Sequence, residues 1–146
     1  MITFRLQKVS AFAFAFGTLV ALLAACQSSE ELKRDQYYAE GYQLYTTHCA
    51  NCHQADGQGL ANLYPPLAGS DYLNDKSWFI CITRYGMSGE ITVNGKTYNR
   101  PMPANPNLKD LEIAEIATYV YNTWGKDSTY TNTEKVVEVL NQCENK

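Results

Sequence analysis

Cys49-Ala50-Asn51-Cys52-His53 is the stretch from which the rest of the chain is read. It places two thiols three residues apart and an imidazole directly after the second. This C-x-x-C-H pattern is the one at which haem is attached covalently: each thiol adds across one vinyl group, and the adjoining histidine lies against the iron as proximal ligand. Two other chemistries use C-x-x-C. A thioredoxin-like dithiol expects a βαβ setting, whereas the residues before Cys49 have helical periodicity. A zinc half-site needs a second ligand pair, and the chain has no further C-x-x-C and only one other histidine, His48. The motif therefore points to one covalent haem c held by Cys49 and Cys52, with His53 on the iron.

Upstream, Arg5 and Lys8 precede an apolar, small-residue run from Val9 to Ala25 that closes in Leu23-Ala24-Ala25-Cys26. The layout is that of a secretory leader, and the closing tetrapeptide resembles the bacterial lipobox, which implies cleavage before Cys26 and lipidation of its thiol. A transmembrane anchor is the alternative, but a weakly apolar run of this length is at the lower limit for a bilayer span. The lipoprotein reading is preferred, because two or three acyl chains anchor stably where one does not. It divides the chain into a leader (1–25), a polar, acidic, flexible tether (26–34), one domain (35–125) and a C-terminal extension (126–146) packed on that domain.

Removing residues 1–25 leaves 121 residues, enough for one small core. It also leaves 10 basic against 15 acidic side chains, a net charge of −5. That balance disfavours nucleic acid and suits a positively charged docking partner. Export bears on the cysteines as well. With Cys26 assigned to lipid and Cys49 and Cys52 to haem, Cys81 and Cys143 remain as a pair in an oxidising compartment, where a disulfide is the natural inference and two separately buried thiols the alternative. A bridge would pin the extension, otherwise held by little more than Val136, Val139 and Leu140.

Helical spacing starts near Asp35, with Gly41, Leu44, Tyr45 and His48 on one face of a helix that runs into the haem motif. A turn-rich loop follows, Asp56-Gly57-Gln58-Gly59, then the extended Tyr64-Pro65-Pro66-Leu67. Lys76 to Tyr85 reads as a helix with Trp78, Cys81, Ile82 and Tyr85 turned inward. Ile91 to Tyr98 is two β-prone runs around Asn94-Gly95, a strong hairpin signal. The proline-rich run Asn99 to Pro106 reads as an ordered loop. From Asp110 to Trp124 an amphipathic helix presents Ile113, Ile116, Ala117, Val120 and Trp124. A last helix, Thr131 to Gln142, opens on the capping box Thr131-Asn132-Thr133-Glu134.

Helices flanking a haem motif, a later loop methionine and a closing helix make residues 35–125 resemble the class I (mitochondrial-type) c-type cytochromes. The resemblance implies a mainly α fold, a small class I cytochrome c domain, here with a short β-hairpin before the methionine loop. Gly41 and Tyr45 match the family's glycine and aromatic that pack on the C-terminal helix, with Ile116 and Tyr119 as receiving positions. Pro65-Pro66-Leu67 resembles the family's P-x-L segment, in which the proline carbonyl (Pro65) accepts from the proximal imidazole and the leucine (Leu67) covers the haem. Fixing the free nitrogen of a ligating histidine is a general need.

Three residues compete for the sixth coordination position. His48 shares a turn with the proximal side, and Met87, in Gly86-Met87-Ser88-Gly89, reads as a packing residue. Met102, rigidly placed between two prolines, resembles the family's methionine. Trp78, Tyr72, Tyr98 and Tyr64 are core aromatics that could bound the haem. Arg84 and Arg100 could meet its propionates or be surface cations.

His53/Met102 ligation leaves iron no open position, which implies an electron carrier and not an enzyme. Its expected partners are a quinol-oxidising complex and an oxidase or reductase. Its expected place is the bacterial cell envelope, lipid-anchored through Cys26 on the periplasmic or outer side. A gas-binding or peroxidatic haem with Met102 displaced is the contrasting reading, and a structural lipoprotein with a fortuitous motif is a third.

Overall fold

The computed structural model of the chain describes residues 28–143. The expected leader and the lipidation candidate Cys26 lie outside the described residues. The first helix, α1 (Ser29–His48), starts six residues earlier than its periodicity suggested, so residues 29–34 of the expected tether are helical. Local chemistry accounts for this start: the Ser28 hydroxyl accepts from the Glu31 N–H at 3.1 Å, and Glu30 and Glu31 occupy the first turn, where the helix dipole favours anions. Residues from Lys33 onward form a packed body of their own. No helix among the described residues is long and apolar enough to cross a membrane.

After the short α2 (Ala50–His53) the chain makes a 3₁₀ turn (Asp71–Asn74), helix α3 (Lys76–Tyr85), the antiparallel pair β1 (Ile91–Val93) and β2 (Lys96–Tyr98), α4 (Asp110–Thr123) and α5 (Thr133–Cys143). The class is mainly helical with one two-stranded hairpin. Asn94 and Gly95 both take positive φ, 51° and 76°, the conformation a two-residue hairpin requires. The register pairs Ile91 with Tyr98 and Val93 with Lys96. Asn94 also docks the turn: its backbone N–H and side-chain oxygen exchange hydrogen bonds with Asp71, and its amide donates to the Gly69 carbonyl at 3.1 Å.

Helix α4 is the centre of the body. The expected apolar stripe is wider than periodicity indicated, since Ile113, Ala114, Ile116, Ala117, Thr118, Tyr119, Val120 and Tyr121 are all buried. A helix surrounded by neighbours buries most of its circumference. α1 meets it at Gly41, where an added Cβ would overlap the Glu115 carbonyl and come within 2.8 Å of the Tyr119 Cβ. Glu115 thus takes the place expected of Ile116 at this crossing. The Tyr45 and Tyr119 rings pack at a tilt with 5.2 Å between centroids, and the Trp124 ring lies 5.2 Å from that of Tyr45. The Glu112 carboxylate accepts from the Lys109 N–H at 2.6 Å and closes the first turn of α4.

Helix α3 is phased differently from expectation. Phe79, Ile80, Ile82 and Thr83 are buried, whereas Trp78 and Tyr85 are 42% and 44% exposed. Two partners explain it: one side of α3 faces the interior, and the side with Trp78, Cys81 and Tyr85 forms a groove with Val139, Gln142 and Cys143 of α5. Cys81 and Cys143 are joined in a disulfide with 5.9 Å between their Cα atoms.

The cap of α5 is Asn132, whose side chain accepts from the Glu134 N–H at 2.8 Å, and not Thr131. Thr131 is engaged elsewhere: its N–H donates to the Thr118 hydroxyl at 2.8 Å and its own hydroxyl accepts from Lys76. The extension is held by more than the disulfide and three aliphatic side chains. Lys76 pairs with Asp127, the Asn122 amide donates to the Thr129 carbonyl at 2.8 Å, and Tyr37 and Thr133 share a hydroxyl hydrogen bond at 3.2 Å.

Candidate haem site

The end of α1 carries the chain into α2 without losing helical hydrogen bonding. The Cys49 N–H donates to the Tyr45 carbonyl at 2.8 Å and the His53 N–H to the Cys49 carbonyl at 3.0 Å. The Tyr45 hydroxyl, on a ring only 1% exposed, donates to the Gln54 carbonyl at 2.6 Å and ties the motif to the helix that presents it. Cys49 and Cys52 are unbridged and half-buried. Burial, with the neighbouring Cys52 adding to it, pushes the Cys49 thiol up to about 12.

His53 Nδ1 lies 3.0 Å from the Pro65 carbonyl oxygen. A carbonyl can only accept, so Nδ1 carries the proton and Nε2 keeps a free lone pair for a metal. Burial lowers the pKa of the imidazole, with the Pro65 hydrogen bond opposing, so the neutral ring that ligation needs is favoured. The Gly57 carbonyl holds the proline segment in place, accepting from Leu67 and Ala68 N–H at 2.7 and 3.0 Å.

These residues border a partly open, mostly apolar cavity of the concave kind in which cofactors bind. Cys49, Cys52, His53, Pro65, Leu67 and Met102 all line it. Phe79, Ile82 and Thr83 of α3, Ile91 and Val93 of the hairpin, and Val120 of α4 complete a mostly apolar wall. Tyr64, Tyr72 and Arg100 line it as well, which leaves Arg100 the propionate candidate of the two arginines. Tyr98 is buried but not in the lining, and Trp78 and His48 are exposed away from it.

Sequence reasoning set Met87 apart from the site, yet it lines the same cavity as Met102. The two form an antiparallel bridge, with mutual backbone hydrogen bonds of 2.9 and 2.8 Å. Gly86 makes this approach possible. It has φ of +73°, and a Cβ there would lie 2.5 Å from the Met102 carbonyl oxygen. Glycine directly before Met87 was the one available sequence signal.

The donor set fits a covalently held iron porphyrin. Two unbridged thiols and an oriented neutral imidazole come from one segment, thioethers come from another, and the space between is apolar. Among the described residues, no group of three or more His, Cys, Asp or Glu converges to hold a bare metal ion.

The Cytochrome c family matches residues 38–124. The chain is 38% identical over 92 residues to cytochrome c-552 of Thermus thermophilus, covering 60% of this chain and 70% of that protein. It is 28% identical over 103 residues to the cytochrome c subunit of the quinone alcohol dehydrogenase of Gluconobacter oxydans, covering 68% of this chain and 21% of that subunit. Thiosulfate dehydrogenase of Allochromatium vinosum is 32% identical over 95 residues, covering 61% of this chain and 32% of that enzyme.

Proposed function

Since the chain belongs to the cytochrome c family and is an electron-transfer protein with covalently bound haem c, we propose that it is a lipid-tethered carrier whose iron is ligated by His53 and Met102. The observation that carries this reading is that His53, oriented by Pro65, and Met102, held in a backbone bridge, line one apolar cavity. The haem supplies a one-electron ferrous–ferric couple.

The protein's own groups set how that couple behaves. Cys49 and Cys52 hold the cofactor covalently, and the Pro65 carbonyl fixes the His53 tautomer and raises the basicity of Nε2. Met102 would offer the haem a thioether from a mostly apolar site, a ligand that favours the reduced state and raises the potential. Phe79, Ile82, Val93 and Val120 exclude water. With His53 and Met102 both committed to the haem, no place would be left for a substrate, and the chain would act as a carrier and not as an enzyme.

Cys26 supplies the tether, which places the domain at the bacterial cell envelope on the periplasmic or outer side. There it passes electrons between a quinol-oxidising complex and an oxidase or reductase. Relatives that are cytochrome c subunits of dehydrogenases support a partner of this redox-complex kind.

An absorption spectrum of the purified protein, with and without carbon monoxide, tests the reading. Low-spin bands, a methionine-to-iron band in the oxidised protein and refusal of carbon monoxide are expected. A high-spin spectrum with ready carbon monoxide binding would instead identify a gas-binding or peroxidatic haem.

A further inference from the structure

The loop that carries Met102 supplies few of its own hydrogen bonds. Pro101, Pro103 and Pro106 remove three N–H donors, and Leu108 N–H to the Asn105 carbonyl, 3.2 Å, is a single short turn. The loop is therefore held from outside. Met102 is bridged to Met87, and the other anchors converge on the last turn of α3. The Asn105 N–H donates to the Arg84 carbonyl at 3.0 Å and its side-chain amide to the Thr83 carbonyl at 3.1 Å.

Arg84 makes the rest of the attachment. One guanidinium nitrogen donates to the carbonyls of Pro106 (3.1 Å) and Leu108 (2.5 Å), and the other to the Asp110 carboxylate (2.5 Å), where α4 begins. Its side chain is only 16% exposed. It is absent from the cavity lining, whereas the preceding residue, Thr83, belongs to it. Arg84 is thus neither a propionate partner nor a free surface cation: a planar fork of donors spans the back of the methionine loop and joins it to two helices.

We infer that Arg84 is a positioning residue for Met102, holding the loop on the path that keeps the thioether at the iron. The inference rests on the His53/Met102 ligation proposed above. A thioether is a weak ligand for iron, so it stays bound only if the loop cannot move away. Removal of the guanidinium leaves the Pro106 and Leu108 carbonyls and the Asp110 carboxylate without that donor. Lysine carries the charge but is a point donor and cannot span both carbonyls and the carboxylate at once.

The test uses the full-length holoprotein and the variants Arg84→Ala, Arg84→Lys, Asp110→Asn and Lys76→Ala. Lys76→Ala removes the ion pair with Asp127 at the opposite end of α3 and controls for general loosening. Three quantities are read: the methionine-to-iron band, the reduction potential, and carbon monoxide binding to the ferrous protein. Wild type and Lys76→Ala should keep the band and refuse carbon monoxide. Asp110→Asn should do the same, because both carbonyl hydrogen bonds remain.

Arg84→Ala should lose much of the band, fall in potential and bind carbon monoxide severalfold faster, with Arg84→Lys between it and wild type. If Arg84→Ala does not fold, Arg84→Lys carries the comparison. A folded Arg84 variant with wild-type band, potential and refusal of carbon monoxide would overturn the inference, as would equal changes in Lys76→Ala. Absence of the band from wild type would overturn the ligand reading itself, and the inference with it.

Discussion

Met87 and Met102 face each other across an antiparallel bridge, each N–H donating to the other's carbonyl, at 2.9 and 2.8 Å. Directly opposed residues of such a pair project to the same face of the ribbon, and both side chains line the haem cavity. Two thioethers are therefore neighbours. Met102→Ala is expected to give a high-spin haem that binds carbon monoxide, while Met87→Leu, a near-isosteric change costing under about 1.5 kcal/mol, should keep the methionine-to-iron band. The opposite pattern, with the band kept in Met102→Ala and lost in Met87→Leu, would assign the ligand to Met87.

Gly41→Ala should destabilise the domain by roughly 3 kcal/mol, the upper part of the range for overpacking, because the new methyl meets backbone at Glu115 and not a flexible side-chain end. Denaturant midpoints of the holoprotein measure this. A loss under about 0.5 kcal/mol would mean that α1 can slide off α4 at little cost.

Reduction of Cys81–Cys143 opens a loop of sequence separation 62, for which chain entropy suggests a loss of about 4 kcal/mol. The extension should nevertheless stay docked, because the Thr131–Thr118 and Asn122–Thr129 hydrogen bonds and the Lys76–Asp127 pair are independent of the bridge. Amide exchange should therefore show α5 still protected after reduction, in a protein that melts earlier with an unchanged haem spectrum.

Asp127 gives the acid limb of the stability curve a definite sign. Burial alone would raise its pKa, but hydrogen bonds from Lys76 and Thr129 outweigh that and bring the carboxyl from 3.8 down to about 2. A carboxyl depressed on folding stabilises above its unfolded value and loses that contribution as pH falls through the folded one. Wild type should exceed Asp127→Asn in stability at pH 6, with the gap closing between about pH 4 and pH 2. A gap independent of pH would show that the ion pair contributes nothing.

Cys26→Ala should release the protein from the membrane fraction or leave it unprocessed, and the intact mass of the wild-type chain should correspond to an acylated chain starting at Cys26. An unmodified Cys26 behind a retained apolar segment would establish a transmembrane anchor in its place.

The elements legible in the sequence are those whose cause is local. Asn94-Gly95 supplies the two positive φ values that a hairpin needs, and the helix at Asp110 carries its own first-turn carboxylates. Where causes were shared between segments, reading along the chain misplaced the detail. Thr131 has the right chemistry for a helix cap, but Thr118 and Lys76 engage it and Asn132 caps instead. Trp78 and Tyr85 lie on an apolar-looking face that proved half-exposed, because periodicity reports that a helix has such a face and not how fully a neighbour covers it.

By itself the sequence determined the haem chemistry, since C-x-x-C-H places two thiols for covalent attachment and an imidazole donor within one turn, and it marked the helices and hairpin through periods of 3.6 and 2. Only the tertiary structure decided how the far side of the cavity is built. Met87 stands beside Met102 and Arg84 grips the methionine loop because residues distant along the chain meet at a glycine and at a loop from which three prolines remove backbone donors. Such meetings depend on which hydrogen-bonding groups folding leaves unpaired, and that is a property of the packed chain, not of any single segment.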